Sequence, residues 1–160
     1  VLVVMGSDSD LKVMEKCVDR LKSFDIPTEV RICSAHRTPA VAEQLAKNAA
    51  AEGFGVIIAA AGKAAHLGGV LAAYTTLPVI GVPMATSVMG GMDSLLSIVQ
   101  MPKGIPVATV AIDGADNAAI LAAQMIALSD DALAQKLAQF KADMAAEVTA
   151  KDEKVRAQFA

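Results

Sequence analysis

A doubly wound α/β fold, with five parallel strands and helices on both faces, follows from three features of this 160-residue chain. Five apolar runs recur along it, each followed by a loop of small or polar residues and, after most, a segment with helical spacing. The runs are continuous, not alternating, which is the pattern of parallel strands covered on both faces. Hydrophobic residues make up 54% of the chain against 19% charged, enough to build one core and too apolar for a disordered segment.

The first run is Val1 to Met5. The loop Gly6-Ser7-Asp8-Ser9-Asp10 follows it, and Leu11, Met14, Val18 and Leu21 then fall on one helical face. The second run, Thr28 to Cys33, leads into Ser34-Ala35-His36-Arg37-Thr38-Pro39. Thr38 and Pro39 there suit an N-cap and first turn, ahead of Val41, Leu45 and Ala49. Gly55 to Ala60 is the third run and Leu77 to Val82 the fourth. The connection Met84 to Asp93 is long for a βα loop and holds Gly90 and Gly91, so it is expected to be mobile and to cover a site. Ser94, Ser97 and Gln100 lie on a helical stretch ending at Met101-Pro102, before the fifth run, Ile105 to Ile112.

Asn117 to Leu128 reads as an Ala-rich helix, and Ser129, Asp130 and Asp131 as the start of another. Leu133, Leu137, Phe140, Met144 and Val148 then recur at steps of three or four, with Lys136, Lys141, Asp143 and Glu147 between them. The expected organisation is a single domain over 1–160, with an α/β core over 1–128 and a helical extension over 129–160. The apolar stripe of that extension needs a partner, and self-association is expected to supply it.

A formal charge of −3 gives no footprint for nucleic acid or anionic membrane surfaces. Aromatic residues are 3%, without Trp, so there is no stacking platform for bases or a flavin ring. The uncharged span from Ala64 to Met92 is broken by glycines and prolines and does not read as a membrane helix. Cys17 and Cys33 form at most one bridge, no signal-peptide pattern is present, and a reducing cytoplasm is the expected location. Both cysteines and the eight Met are expected in the core.

In an open parallel sheet, ligands bind where loops converge beyond the carboxyl ends of the strands. The Gly6 to Asp10 loop offers hydroxyls, small residues and a helix amino end to a phosphate or a ribose. Ser9 or Asp10 would serve equally as a helix cap, and the loop lacks the Lys of a P-loop. In the second loop the planar fork of Arg37 suits a phosphate, and the imidazole of His36 can donate and accept protons. The third loop, Ala61 to Gly69, carries His66 among small residues that leave room for a flat ligand. Two histidines fall short of the three ligands of a catalytic zinc site unless carboxylates join them, so no metal is required.

Four motifs in this order carry a resemblance: Met5-Gly6-Ser7-Asp8-Ser9-Asp10, Ser34-Ala35-His36-Arg37-Thr38-Pro39, Ala64-Ala65-His66-Leu67, and Asp93 through Pro102. With them the chain resembles, over nearly its whole length, the N5-carboxyaminoimidazole ribonucleotide mutases of purine biosynthesis. The resemblance implies a flavodoxin-like three-layer α/β/α sandwich with an extra C-terminal helix, assembled as a homo-octamer. It implies a reaction in which a carboxyl group leaves an exocyclic nitrogen as carbon dioxide and is recaptured by a ring carbon, without metal or organic cofactor. It places the general acid-base on His36 and phosphate and ribose contacts on Ser7, Ser9, Asp10, Ser34 and Arg37. Gly62, Ala64, His66 and Leu67 then match the wall of the imidazole and carbon dioxide pocket.

Two residues depart from that pattern: Lys63, where the family usually has Gly, and Gly68, where it usually has Pro. Lys63 adds bulk and charge beside the pocket, either pointing outward, meeting a substrate carboxylate or phosphate, altering substrate preference, or reducing the rate. Gly68 is expected to loosen the turn. The related carboxylases that take carbon dioxide directly are similar in fold but tend to depart at the positions of Arg37 and Ala64 to His66, which favours the mutase. A signalling receiver is disfavoured because Ala59-Ala60-Ala61 stands where its phosphoacceptor Asp would be. A flavin carrier is disfavoured by the lack of loop aromatics, and a non-catalytic nucleotide-binding module is the remaining alternative.

Overall fold

The structure is a computed structural model describing residues 1–160. Five strands, β1 (Leu2–Met5), β2 (Glu29–Ile32), β3 (Ile57–Ala61), β4 (Val79–Pro83) and β5 (Ala108–Thr109), form one parallel sheet in the order β2-β1-β3-β4-β5. Between and after them lie α1 (Leu11–Ser23), α2 (Pro39–Asn48), α3 (Leu67–Tyr74), α4 (Met92–Val99), α5 (Ala115–Ile126) and α6 (Asp131–Gln158). This is the flavodoxin-like three-layer sandwich with its additional C-terminal helix.

Side chains alternate across the strands and feed two separate cores. Val3, Met5, Ile58, Ala60, Ile80 and Val82 pack against α1 and α5, where Met14, Cys17, Leu21 and a row of buried alanines meet them. Leu2, Val4, Ile57, Ala59 and Val79 face the other way, toward α2, α3 and α4. At Gly81 a Cβ would run into the Ile98 side chain, so glycine lets α4 approach the sheet closely.

Coverage is not uniform, contrary to the expectation from continuous apolar runs. β2 is an edge strand with all four residues exposed, and β5 keeps only two residues of the run Ile105 to Ile112. Edge strands have one neighbour, and Val30 and Ile32 of β2 are left exposed. The uncharged span from Ala64 to Met92 divides into α3, β4 and loops, and no helix is long and apolar enough to cross a membrane.

Asp130 starts α6 by accepting the Leu133 N–H at 3.0 Å. Phe140 anchors the helix edge-to-face on Phe24 at 5.5 Å, with the Arg20 guanidinium 4.7 Å above its ring. Past this anchor the stripe runs into solvent, with Met144, Val148 and Val155 exposed.

Cys17 and Cys33 are both free and buried. Burial, with Asp116 adding to it, pushes the Cys17 thiol up to about 12, so almost no thiolate exists at neutral pH. Cys17 in the native protein is therefore expected to resist iodoacetamide and to react only with denaturant present. Rapid native labelling, read by mass spectrometry, would show that this core opens.

Candidate active site

The order of the sheet reverses around β1, whose neighbours are β2 and β3, and the loops beyond their carboxyl ends splay apart there. A cavity of about 610 Å³ occupies the crevice. The first loop contributes Ser7, Ser9 and Asp10, the second Ser34, His36 and Arg37, and the third Gly62, Ala64, His66 and Leu67. All ten sequence-derived candidates thus line a single cavity.

The first loop turns into a short 3-10 segment over Asp8–Asp10, and the Ser7 hydroxyl caps it by accepting the Ser9 N–H at 3.2 Å. Asp10 stands at the N-cap position of α1 but makes no capping bond with its side chain. Loss of hydration raises its carboxyl from the ordinary aspartate value, the Ser9 hydroxyl and the backbone at Ser7 pull the other way, and Asp8 and Asp113 add to the rise. A raised folded-state pKa means the charged form costs stability. That contribution is most favourable below the ordinary carboxylate pKa and is lost as pH rises through the raised one. Asp10→Asn is therefore expected to raise the melting temperature at pH 7 and to flatten its decline as pH rises from the ordinary carboxylate pKa. A melting curve with unchanged pH dependence would show that Asp10 is hydrated in solution.

Thr38 takes the N-cap position of α2 with Pro39 beginning the helix, but its side chain does not cap forward. Its hydroxyl instead accepts the Ser34 N–H and donates to the Ser34 carbonyl, each at 3.0 Å. The second loop is closed by this pair, and the Ser34 hydroxyl accepts from the Arg37 N–H at 3.2 Å and from Arg37 Nε at 3.4 Å. Ser34 and Arg37 therefore present one joined donor group to the cavity.

His36 Nε2 lies 2.8 Å from His66 Nδ1, with the rings inclined at 71°. One of the two facing nitrogens must carry a proton and the other a lone pair. Both rings are exposed to the cavity, so the pair is a proton donor and acceptor set open to a ligand. No three His, Cys, Asp or Glu side chains gather in a set that could hold a metal ion.

The candidates left out the fourth loop, whose Met84, Ala85, Thr86 and Ser87 complete the wall. The signal was present, since these residues directly follow a strand end. The loop is tied at its base: Thr86 Oγ1 donates to Asp93 Oδ1 at 2.8 Å, and Asp113 Oδ1 accepts the Ala85 N–H at 2.9 Å. Ser94, fully buried on α4, accepts the Lys63 N–H at 2.8 Å and so fixes the third loop. Gly68 is placed differently from expectation. It lies in the first turn of α3, not in a turn that it could loosen, and a Cβ there would find only an ordinary 3.5 Å contact with Val107.

A model of a family described as AIR carboxylase matches residues 1–147 of this chain. The sequence is 52% identical over 159 residues to an N5-carboxyaminoimidazole ribonucleotide mutase from Methanocaldococcus jannaschii, with 99% of each chain covered. It is also 51% identical over 140 residues to a chloroplastic phosphoribosylaminoimidazole carboxylase from Vigna aconitifolia, covering 88% of this chain and 25% of that protein. The crystal structure of Treponema denticola PurE superposes with a TM-score of 0.88 at 30% identity, over 96% of both chains.

Proposed function

The chain belongs to the AIR carboxylase family, and we propose that it is an N5-carboxyaminoimidazole ribonucleotide mutase of purine biosynthesis. The observation that carries this reading is the His36–His66 imidazole pair, held at 2.8 Å in a cavity whose neighbouring loops present Ser9, Ser34 and Arg37 to an anion. A ribonucleotide monophosphate has a dianionic end for those donors and ribose hydroxyls for Asp10.

His36 protonates the exocyclic nitrogen as its bond to the carboxyl carbon breaks, releasing neutral carbon dioxide. The ring carbon then attacks that molecule, and the same imidazole removes the proton from the ring carbon, which restores its starting state. Gly62, Ala64 and Leu67 line the space with small or apolar groups, which exclude water around the small intermediate. Neither step requires a group beyond those the cavity presents.

The homo-octamer is part of the same proposal. The exposed apolar residues of α6 beyond Phe140 support self-association, with 129–160 acting as the packing extension of a single 1–160 domain. Two free cysteines suit a cytoplasmic enzyme. A clean monomer in sedimentation velocity would remove the assembly.

The purified protein, without added metal, is expected to convert N5-carboxyaminoimidazole ribonucleotide to 4-carboxy-5-aminoimidazole ribonucleotide. Turnover only of aminoimidazole ribonucleotide with carbon dioxide would make it a direct carboxylase. Tight nucleotide binding with neither turnover would make it a binding module.

A further inference from the structure

We infer that Lys63 is a specificity-determining contact of this cavity, its ammonium group pairing with the carboxylate of the nucleotide; this rests on the mutase reading. Lys63 lines the cavity and has a φ of 57°, in the left-handed region that favours glycine. Only Asp25 and Asp113 share that region among non-glycine residues. Aspartate tolerates it through local side-chain bonding, whereas a long aliphatic stem gains nothing from it.

The backbone explains the conformation but not the lysine. Its N–H donates to Ser94 Oγ at 2.8 Å, and its carbonyl accepts from Ser97 Oγ at 3.2 Å and from the Ala65 N–H at 2.9 Å. Glycine would make all three bonds without strain. What lysine adds is charge, and no carboxylate takes it up. Lys63 is exposed and forms no ion pair, as is true of Lys12, Lys16, Lys22, Lys103, Lys141 and Lys154, but of these it alone lines the cavity. A strained residue with a free charge on a cavity wall points to a ligand contact.

Position selects the anion. Arg37 follows β2 and Lys63 follows β3, with β1 between them, so the two loops leave the sheet about 10 Å apart at ~4.8 Å per strand. Arg37 and Ser34 hold the phosphate end in the mutase reading. Lys63 belongs to the other side, next to Gly62 and Ala64 and fastened to α4, where the carboxylated imidazole lies. A fixed cation there attracts the carboxylate of substrate and product, and not the neutral carbon dioxide between them. Its contribution therefore falls on binding.

The test compares wild type with Lys63→Gln, Lys63→Gly and Lys63→Arg, titrated calorimetrically with 4-carboxy-5-aminoimidazole ribonucleotide and with aminoimidazole ribonucleotide, which lacks the carboxylate. Gln and Gly are expected to weaken the carboxylated nucleotide about tenfold, as loss of one charge-assisted contact does. They should leave the other nucleotide unaffected, Arg should restore most of the loss, and in turnover the loss should fall on KM. Lys63→Gly should also melt at a higher temperature than Lys63→Gln, because it releases the strain. Equal weakening of both nucleotides would place the contact on the phosphate and overturn the assignment. Wild-type turnover with variants indistinguishable from it would overturn Lys63 alone, whereas a wild type that binds neither nucleotide would overturn the mutase reading itself.

Discussion

His36→Asn is expected to lower kcat by about a thousandfold while the nucleotide affinity changes by less than about threefold, the range for removal of a general acid-base from an otherwise intact site. Asparagine keeps a small polar group at this position, but its amide matches only the near edge of an imidazole and gives up the contact that His36 Nε2 makes with His66 Nδ1 at 2.8 Å. It has no proton to exchange near neutral pH. The anion-binding groups stand on separate anchors: Ser34 is pinned by Thr38, and Ser7 caps the first loop. Binding and chemistry should therefore separate in this variant. Stopped-flow turnover set against calorimetric binding reads both quantities. Retained turnover would assign the proton transfers to another group, His66 being the nearest, and parallel loss of binding would make His36 a positioning residue.

Arg37→Ala is expected to raise KM by about 10- to 100-fold, which corresponds to the ~1.5–3 kcal/mol of a hydrogen bond to a charged group. The guanidinium is exposed to the cavity and already oriented by Ser34 Oγ, so little ordering cost is left for binding. Lysine at this position should recover only part of the loss, because a point charge does not reproduce two parallel N–H donors. The loss should appear in KM and not kcat, since the phosphate is the same in ground and transition states. Initial rates over a substrate range at fixed ionic strength make the measurement. An unchanged KM would move the phosphate to another part of the cavity.

Much of the site could be read from the chain because the rule connecting strand ends to ligand loops is local. Each of Ser7, Ser9, Asp10, Ser34, His36, Arg37, Gly62, Ala64, His66 and Leu67 lies within a few residues of an apolar run or helix start, and each lines the cavity. Thr86 and Ser87 obey the same rule but sit in a loop read as a cover, and their place in the wall depends on the tie from Thr86 to Asp93. In the sequence Ser94 is one residue of a helical stretch. Its hydroxyl is buried and bound to a backbone 31 positions earlier, which no local pattern shows. Thr38 is legible as a helix start, but its hydroxyl bonds run back to Ser34.

Continuous apolar runs and helical spacing determined the strands, most of the helices and the loops that follow, because those signals act over a few neighbouring residues. Tertiary structure alone decided that β1 lies between β2 and β3, and with it that His36 and His66, 30 residues apart, meet at 2.8 Å. It also decided the exposure of β2 and the left-handed backbone of Lys63. The physical reason is that these properties depend on which distant surfaces bury one another, and a residue's immediate neighbours carry no record of that choice.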